Sequence, residues 1–281
     1  MTSKIPKQAS LPPTERTKIV NVRAALNNSY QVLFVVSKNM ASRKSSGSVA
    51  AQISRQARRF STAIAPQLTK IESVASLQKI NYVRIKINDI SQMQQAIEQY
   101  VLRNCVQFDA IEFDLYDKEN IRFMQATLFP ESIILHDGPK RICEISIIED
   151  QPCFARIKHP VSGITVYELI KLGGQITVNS NTDYMNGYRI ATQNSSLAGL
   201  LLTCGCLYSK EVWKLLKEDQ NFATIAPVRS FFDENSIRVD WDMLCDNELR
   251  VVCVCFGVIQ MIREAFPQLL HIVNQYRLRT D

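Results

Sequence analysis

Residues Asn247 to Ala265 read NELRVVCVCFGVIQMIREA, with Leu249, Val251, Val252, Val254, Phe256, Val258, Ile259, Met261 and Ile262 distributed around every side of a helix. A helix that is apolar all round belongs in a core. The run from Leu249 to Ile262 is also short of the roughly 20 residues a membrane span requires, and Gln260 interrupts it, so a soluble protein is expected. This stretch is therefore read as the central buried helix of the C-terminal half. Pro267 ends it, and a last helix is expected from Phe266 to Arg279.

Upstream of this helix, the segments Ser196–Leu207 and Ser209–Glu218 also read as helices. Thr165-Val166-Tyr167-Glu168 has the form of a capping box, opening a short helix that Gly173-Gly174 would end. Asp240 and Asp242 fit the start of a helix-like segment, where carboxylates favour the positive end of the dipole. The Asn-rich stretch around Asn186-Gly187 reads as a long irregular connection or a loose hairpin. Residues 163–281 are thus expected to be mainly helical.

Between residues 71 and 162 the period changes from helical to alternating. NYVRIKI sets Tyr82, Arg84 and Lys86 against Val83, Ile85 and Ile87, the pattern of a half-buried strand with its basic residues on one face. ISQMQQAIEQYVLRN reads as a helix with Ser91 and Gln94 at capping-box spacing. AIEFDLY, IRFMQATLF, SIILHDGPKRICEISII and CFARIKH read as further strands, with a turn at DKEN and a hairpin turn at His136-Asp137-Gly138-Pro139. The expected fold class is α+β: a basic, partly helical N-terminal arm over residues 1–70, a central antiparallel β-rich region over 71–162, and the helical region, with 71–281 able to share one core.

Charge divides the chain unevenly. The first 70 residues hold twelve Lys and Arg against the single acid Glu15, a net +11, and the rest of the chain is −5. Within the arm, residues 37–60 read SKNMASRKSSGSVAAQISRQARRF, a Ser/Gly-rich loop followed by a helix-like segment from Ser48 to Ile64. Arg55 and Arg59 stand one turn apart on that helix. A surface that serves solubility alone mixes both signs, whereas a segment almost without acids suits a polyanion.

No catalytic motif is present. The chain lacks G-x-S-x-G, G-x-G-x-x-G and G-x-x-x-x-G-K-[ST], so neither a strained nucleophile nor a phosphate-cradling loop is supported, and no cofactor is called for. The eight cysteines lie partly in apolar runs and read as reduced, buried thiols of an intracellular compartment; Cys204/Cys206 and Cys253/Cys255 are spaced too closely for a usual zinc site. Asp109, Glu112, Asp114, Asp117 and Glu119 form an acidic cluster in which Glu112 and Asp114 share a strand face. It reads as a solvent-facing strand edge, with no metal expected.

These features lead to a non-enzymatic, sequence-independent single-stranded nucleic-acid-binding protein that self-associates, of the kind found as viral nucleocapsid, coat or transport proteins. RNA or DNA phosphates would be held by Lys38, Arg43, Lys44, Arg55, Arg58 and Arg59 of the arm and by Arg84 and Lys86 of the body. Tyr82, Arg122, Phe123, Tyr188 and Arg189 would add stacking surfaces and charge. A cytoplasmic or virion location follows. Two alternatives share the same arm: a mitochondrial RNA- or ribosome-associated protein with a cleaved presequence, and a scaffold on an anionic membrane.

Overall fold

In the computed structural model, the described residues are 70–148, 152–180, 187–194, 209, 211–228, 235–242 and 244–280. Twelve strands run through them: β1 (Tyr82–Ile87), β2 (Ile111–Tyr116), β3 (Arg122–Leu128), β4 (Ile133–Asp137), β5 (Lys140–Ile147), β6 (Cys153–Lys158), β7 (Thr165–Leu172), β8 (Gln175–Ser180), β9 (Arg189–Asn194), β10 (Glu211–Lys217), β11 (Gln220–Pro227) and β12 (Ser236–Trp241). Each pairs antiparallel with the next, and β12 returns to pair with β1, so the sheet closes into a barrel. Closure leaves no unpaired strand edge.

Among the described residues four helices accompany the strands: α1 (Ala75–Gln78), α2 (Ile90–Arg103), α3 (Asn247–Gln260) and α4 (Pro267–Thr280), with a π-helical turn, Met261–Ala265, joining the last two. The apolar helix α3 lies inside the barrel. Its Phe256 ring meets Trp213 of β10 at 6.0 Å and Phe154 of β6 at 6.1 Å, while Cys255 Sγ is 3.4 Å from Cys143 Sγ of β5. At Gly257 the helix comes so close to β1 and β12 that a Cβ would sit 2.9 Å from Ile85 Cδ1 and from Val239 Cγ2. Walls on opposite sides touch the same two turns, as an enclosed helix requires. A barrel of eight strands is filled by its own side chains and one of sixteen holds a water channel, so twelve leave room for a single helix.

Polar anchors hold α3 at one mouth. Asp246 caps it, accepting from Leu249 N–H at 2.9 Å. Arg250 donates to the carbonyls of Cys245 (2.8 Å) and Leu77 (2.7 Å) and stacks over Trp241, and Asn247 Nδ2 donates to Val74 O at 2.9 Å. Tyr167 on the inner side of β7 donates its hydroxyl to Glu248. Burial and that carboxylate push the Tyr167 phenol far above its ordinary range. At the other end Phe266 packs on Phe113 of β2, and Pro267 opens α4 beside α2.

The strands β1 to β6 and helix α2 stand where alternation and helical spacing put them. One detail of α2 differs: its N-cap is Asp89, which accepts from Ser91 N–H at 2.8 Å, in place of the Ser91/Gln94 box. The larger correction is the fold class, which is a closed twelve-stranded antiparallel barrel; the described residues are 44% strand and 28% helix, and among them there is no mainly helical C-terminal region. Thr165–Leu172 is strand β7, and Gly173-Gly174, at φ +56° and +84°, is its hairpin turn into β8, not a helix end. Glu211–Lys217 is strand β10, inside the segment expected as a helix from Ser209. Asp240 lies in strand β12, not at a helix start.

The physical reason is tertiary pairing. Both segments are rich in Leu, Glu and Lys, which favour a helix in isolation, but their flanking strands supply ladder bonds and a half-buried surface that override so weak a preference. The boundary expected near 162 falls between β6 and β7, which are adjacent, paired staves. The helix expected over 196–207 lies outside the described residues.

Candidate nucleic-acid interface

The inner faces of the staves carry Val83, Ile85, Ile87, Ile237, Val239 and Trp241, so the intervening residues must face outward. On β1 these are Tyr82, Arg84 and Lys86; on β12, Ser236, Arg238 and Asp240. Register places Arg84 directly opposite Arg238, Lys86 opposite Ser236, and Tyr82 opposite Asp240. On the other flank Arg84 faces Tyr116 and Lys86 faces Asp114 of β2. Two arginines thus occupy directly opposed positions of the ladder, with a lysine one step along the same face, about 6.6 Å from Arg84 along the strand.

Like charges directly opposite each other cost stability. Local partners temper that cost: Arg84 Nε donates to Ser236 Oγ at 3.0 Å, and Arg238 pairs with Asp240 at 2.6 Å. Asp240 is a strained partner, because burial raises its carboxyl above the usual range and only in part do Arg238 and Lys118 pull it back. Arg122, on β3, reaches Asp114 at 3.3 Å while its side chain remains 57% exposed.

Arg84 and Lys86 of the expected site are therefore on the outer face and adjacent. Lys38, Arg43, Lys44, Arg55, Arg58 and Arg59 lie outside the described residues. The aromatic part of the expectation is narrower in the structure. Tyr188 is buried edge-on against Phe222 at 5.4 Å, and half-buried Phe123 packs on the core, so neither offers a stacking face; Tyr82 and Tyr116 remain on the outer surface. Sequence reasoning misses Arg238 because the carboxylates of Asp240 and Asp242 suggest a helix start, although Ile237, Val239 and Trp241 alternate with Arg238 and Asp240 over SIRVDW.

The acidic cluster is dispersed. Asp114 is 2% exposed, in place of the solvent-facing edge expected, and is held by Arg122 and by the Tyr116 hydroxyl at 3.3 Å. Glu112 accepts from Asn88 Nδ2 at 3.0 Å, and Asp117 commits its carboxylate to the N–H groups of Glu119 and Ile121 in the β2–β3 turn. Among the described residues no group of three His, Cys, Asp or Glu is arranged to hold a metal ion. Cys253 and Cys255 are buried in α3; the hydrogen bond with Cys245, together with burial, raises the Cys253 thiol well above its ordinary value, and burial, together with Cys143, does the same for Cys255. Cys143 Sγ lies beside Cys255 Sγ, and Cys153 Sγ turns to Ala155 O at 3.8 Å.

Comparison with known proteins adds no identity: no protein family, curated protein or solved structure matches this chain.

Proposed function

We propose that this protein binds single-stranded nucleic acid through its phosphate backbone, without reading sequence and without catalysis, and that the basic arm and the outer face of β12–β1–β2 each contact phosphates. The single observation that carries the reading is the register of Arg84 against Arg238 with Lys86 beside them. Cations gathered at neighbouring positions of one outer face suit a phosphate backbone that passes over them. The barrel interior supports an exterior role, since α3 and the large side chains around it occupy the lumen where a barrel of this kind would otherwise take a small ligand.

The test is binding of fluorescein-labelled single-stranded RNA to the full-length protein and to two charge-reversed variants, one in the arm (Arg55, Arg58 and Arg59 to Glu) and one on the barrel (Arg84 and Lys86 to Glu). Each variant is expected to bind at least about 10-fold more weakly than the wild type, across unrelated RNA sequences. Loss confined to the arm variant would remove the barrel from the interface. Equal binding by all three proteins would remove the reading itself.

A further inference from the structure

At the end of the barrel where α3 leaves it, α2 and α4 pack together and leave an open apolar groove of about 350 Å³ between them. Its walls are Ile97, Tyr100 and Val101 of α2 and Pro267, Gln268, His271 and Ile272 of α4. Two of its polar atoms satisfy each other: Tyr100 Oη and His271 Nε2 are 2.9 Å apart. Most of the remaining lining is aliphatic or aromatic.

Around it the surface is more apolar than a solvated helix pair requires. Val101, Leu102 and Leu278 are 73%, 71% and 70% exposed, among the most exposed large aliphatic side chains of the described residues. Several exposed aliphatic residues grouped beside an apolar concavity mark an interaction site, whereas scattered ones do not.

Charge identifies the partner. Arg103 ends α2, and Arg277 and Arg279 lie in the last turn of α4. Arg279 spans the two helices, donating to Asn104 O at 2.9 Å and Asn104 Oδ1 at 2.7 Å, acceptors that leave its charge uncancelled. Neither Arg103 nor Arg279 takes part in an ion pair among the described residues. The groove is thus apolar along its length and cationic at its end.

We propose that this groove docks an amphipathic helix of another protein, one whose apolar stripe enters between α2 and α4 and whose flanking carboxylates meet Arg103 and Arg279. The walls are spaced at i, i+3 and i+4 on α2, the period at which a docked helix presents its anchors, and a concave site buries such anchors better than a flat lipid surface would. This site is separate from the β12–β1–β2 face and does not depend on nucleic-acid binding.

The test uses the full-length protein and a fluorescein-labelled synthetic helix of roughly 16 residues, with leucine at i, i+3, i+4 and i+7 and glutamate on both flanks, followed by anisotropy. Val101→Glu is the principal variant, because a side chain so exposed can change without unfolding the protein. It is expected to weaken binding at least about 10-fold, and Arg103→Glu about 3-fold. Equal affinity of wild type and Val101→Glu would overturn the proposal, since the peptide would then be held elsewhere, for instance by the basic arm. Failure of the peptide to bind, with Val101-dependent binding to phosphatidylcholine vesicles containing phosphatidylserine, would also overturn it and assign the face to a membrane. Absence of both would overturn it outright.

Discussion

Two sectors of the barrel wall are built alike on the inside and differently on the outside. On β5–β6–β7 opposite charges face each other across the ladder: Glu144 stands opposite Lys158 and joins it at 3.4 Å, and Arg156 stands opposite Glu168 and joins it at 2.9 Å. On β12–β1 the corresponding position sets Arg84 against Arg238. Cross-strand pairs contribute or cost a few tenths to about 1 kcal/mol each, so the first arrangement stabilises the wall and the second does not. Under the proposed function the β12–β1–β2 sector presents its cations to an outside anion, whereas the β5–β7 sector pairs its charges across its own ladder.

The comparison requires that both sectors rest on one core. Phe256 bridges them from within, through Phe154 of β6 on one side and the helix backbone at Gly257 against β1 and β12 on the other. Phe256→Ala is expected to cost about 3–5 kcal/mol and to lower the unfolding midpoint of the whole barrel in a single step. Urea unfolding followed by tryptophan fluorescence and by far-UV circular dichroism checks this, and separate midpoints for the two probes would show that the sectors do not share a core.

Neutralising one residue in each sector separates stability from binding. Glu168→Gln removes a half-exposed ion pair and is expected to cost up to about 1 kcal/mol while RNA affinity stays within about 2-fold. Arg238→Gln gives the converse: stability within about 0.5 kcal/mol, because relief of repulsion from Arg84 offsets the missing pairing with Asp240, and affinity lowered about 3-fold. Denaturation midpoints and RNA titrations on the same two proteins measure both effects.

Acid acts on the sectors in opposite directions, with the smallest expected effects. His159, in the turn between β6 and β7, accepts from Val161 N–H at 3.3 Å and Ser162 N–H at 3.2 Å through Nδ1, and burial holds its pKa below the ordinary value. A histidine whose folded pKa is lowered binds its proton better unfolded, so its contribution is full above about pH 6.5 and is lost as pH falls below it. Asp240 has a raised pKa, so it protonates above the usual carboxylate range as pH falls and releases Arg238. Protonation of His159 is therefore expected to destabilise the barrel slightly, whereas protonation of Asp240, favoured in the folded state, stabilises it and strengthens RNA binding. Binding and thermal-melt series from neutral to mildly acidic pH read the two trends, and the second disappears in Asp240→Asn.

The first half of the barrel was legible in the sequence because its strands are half-buried and β-branched, so that Val83, Ile85 and Ile87 alternate cleanly with Tyr82, Arg84 and Lys86. Helix α3 was equally legible, since nothing but burial explains Val251 through Ile262. What surrounds α3 was not. Trp213 and Leu215 alternate on β10, yet EVWKLLK is short, built of helix formers, and ends in Glu218-Asp219, a hairpin turn at φ +49° and +64° without the glycine or asparagine that usually announces one. Closure rests on β1 meeting β12 across some 150 residues of chain, and no local pattern encodes that pairing. The same limit hid half of the site: Arg84 and Lys86 follow from alternation within one strand, but the approach of Arg238 follows only from register between two.

The most direct measurement is the salt dependence of RNA binding for the wild type and for Arg84→Gln/Arg238→Gln in the full-length protein. If both guanidinium groups touch phosphates, the slope of log affinity against log salt becomes shallower by about 1.4, roughly 0.7 for each phosphate of a single strand that is no longer neutralised. An unchanged slope and affinity would contradict the account, leaving the opposed arginines of β1 and β12 as a surface feature without a polyanion to bridge them.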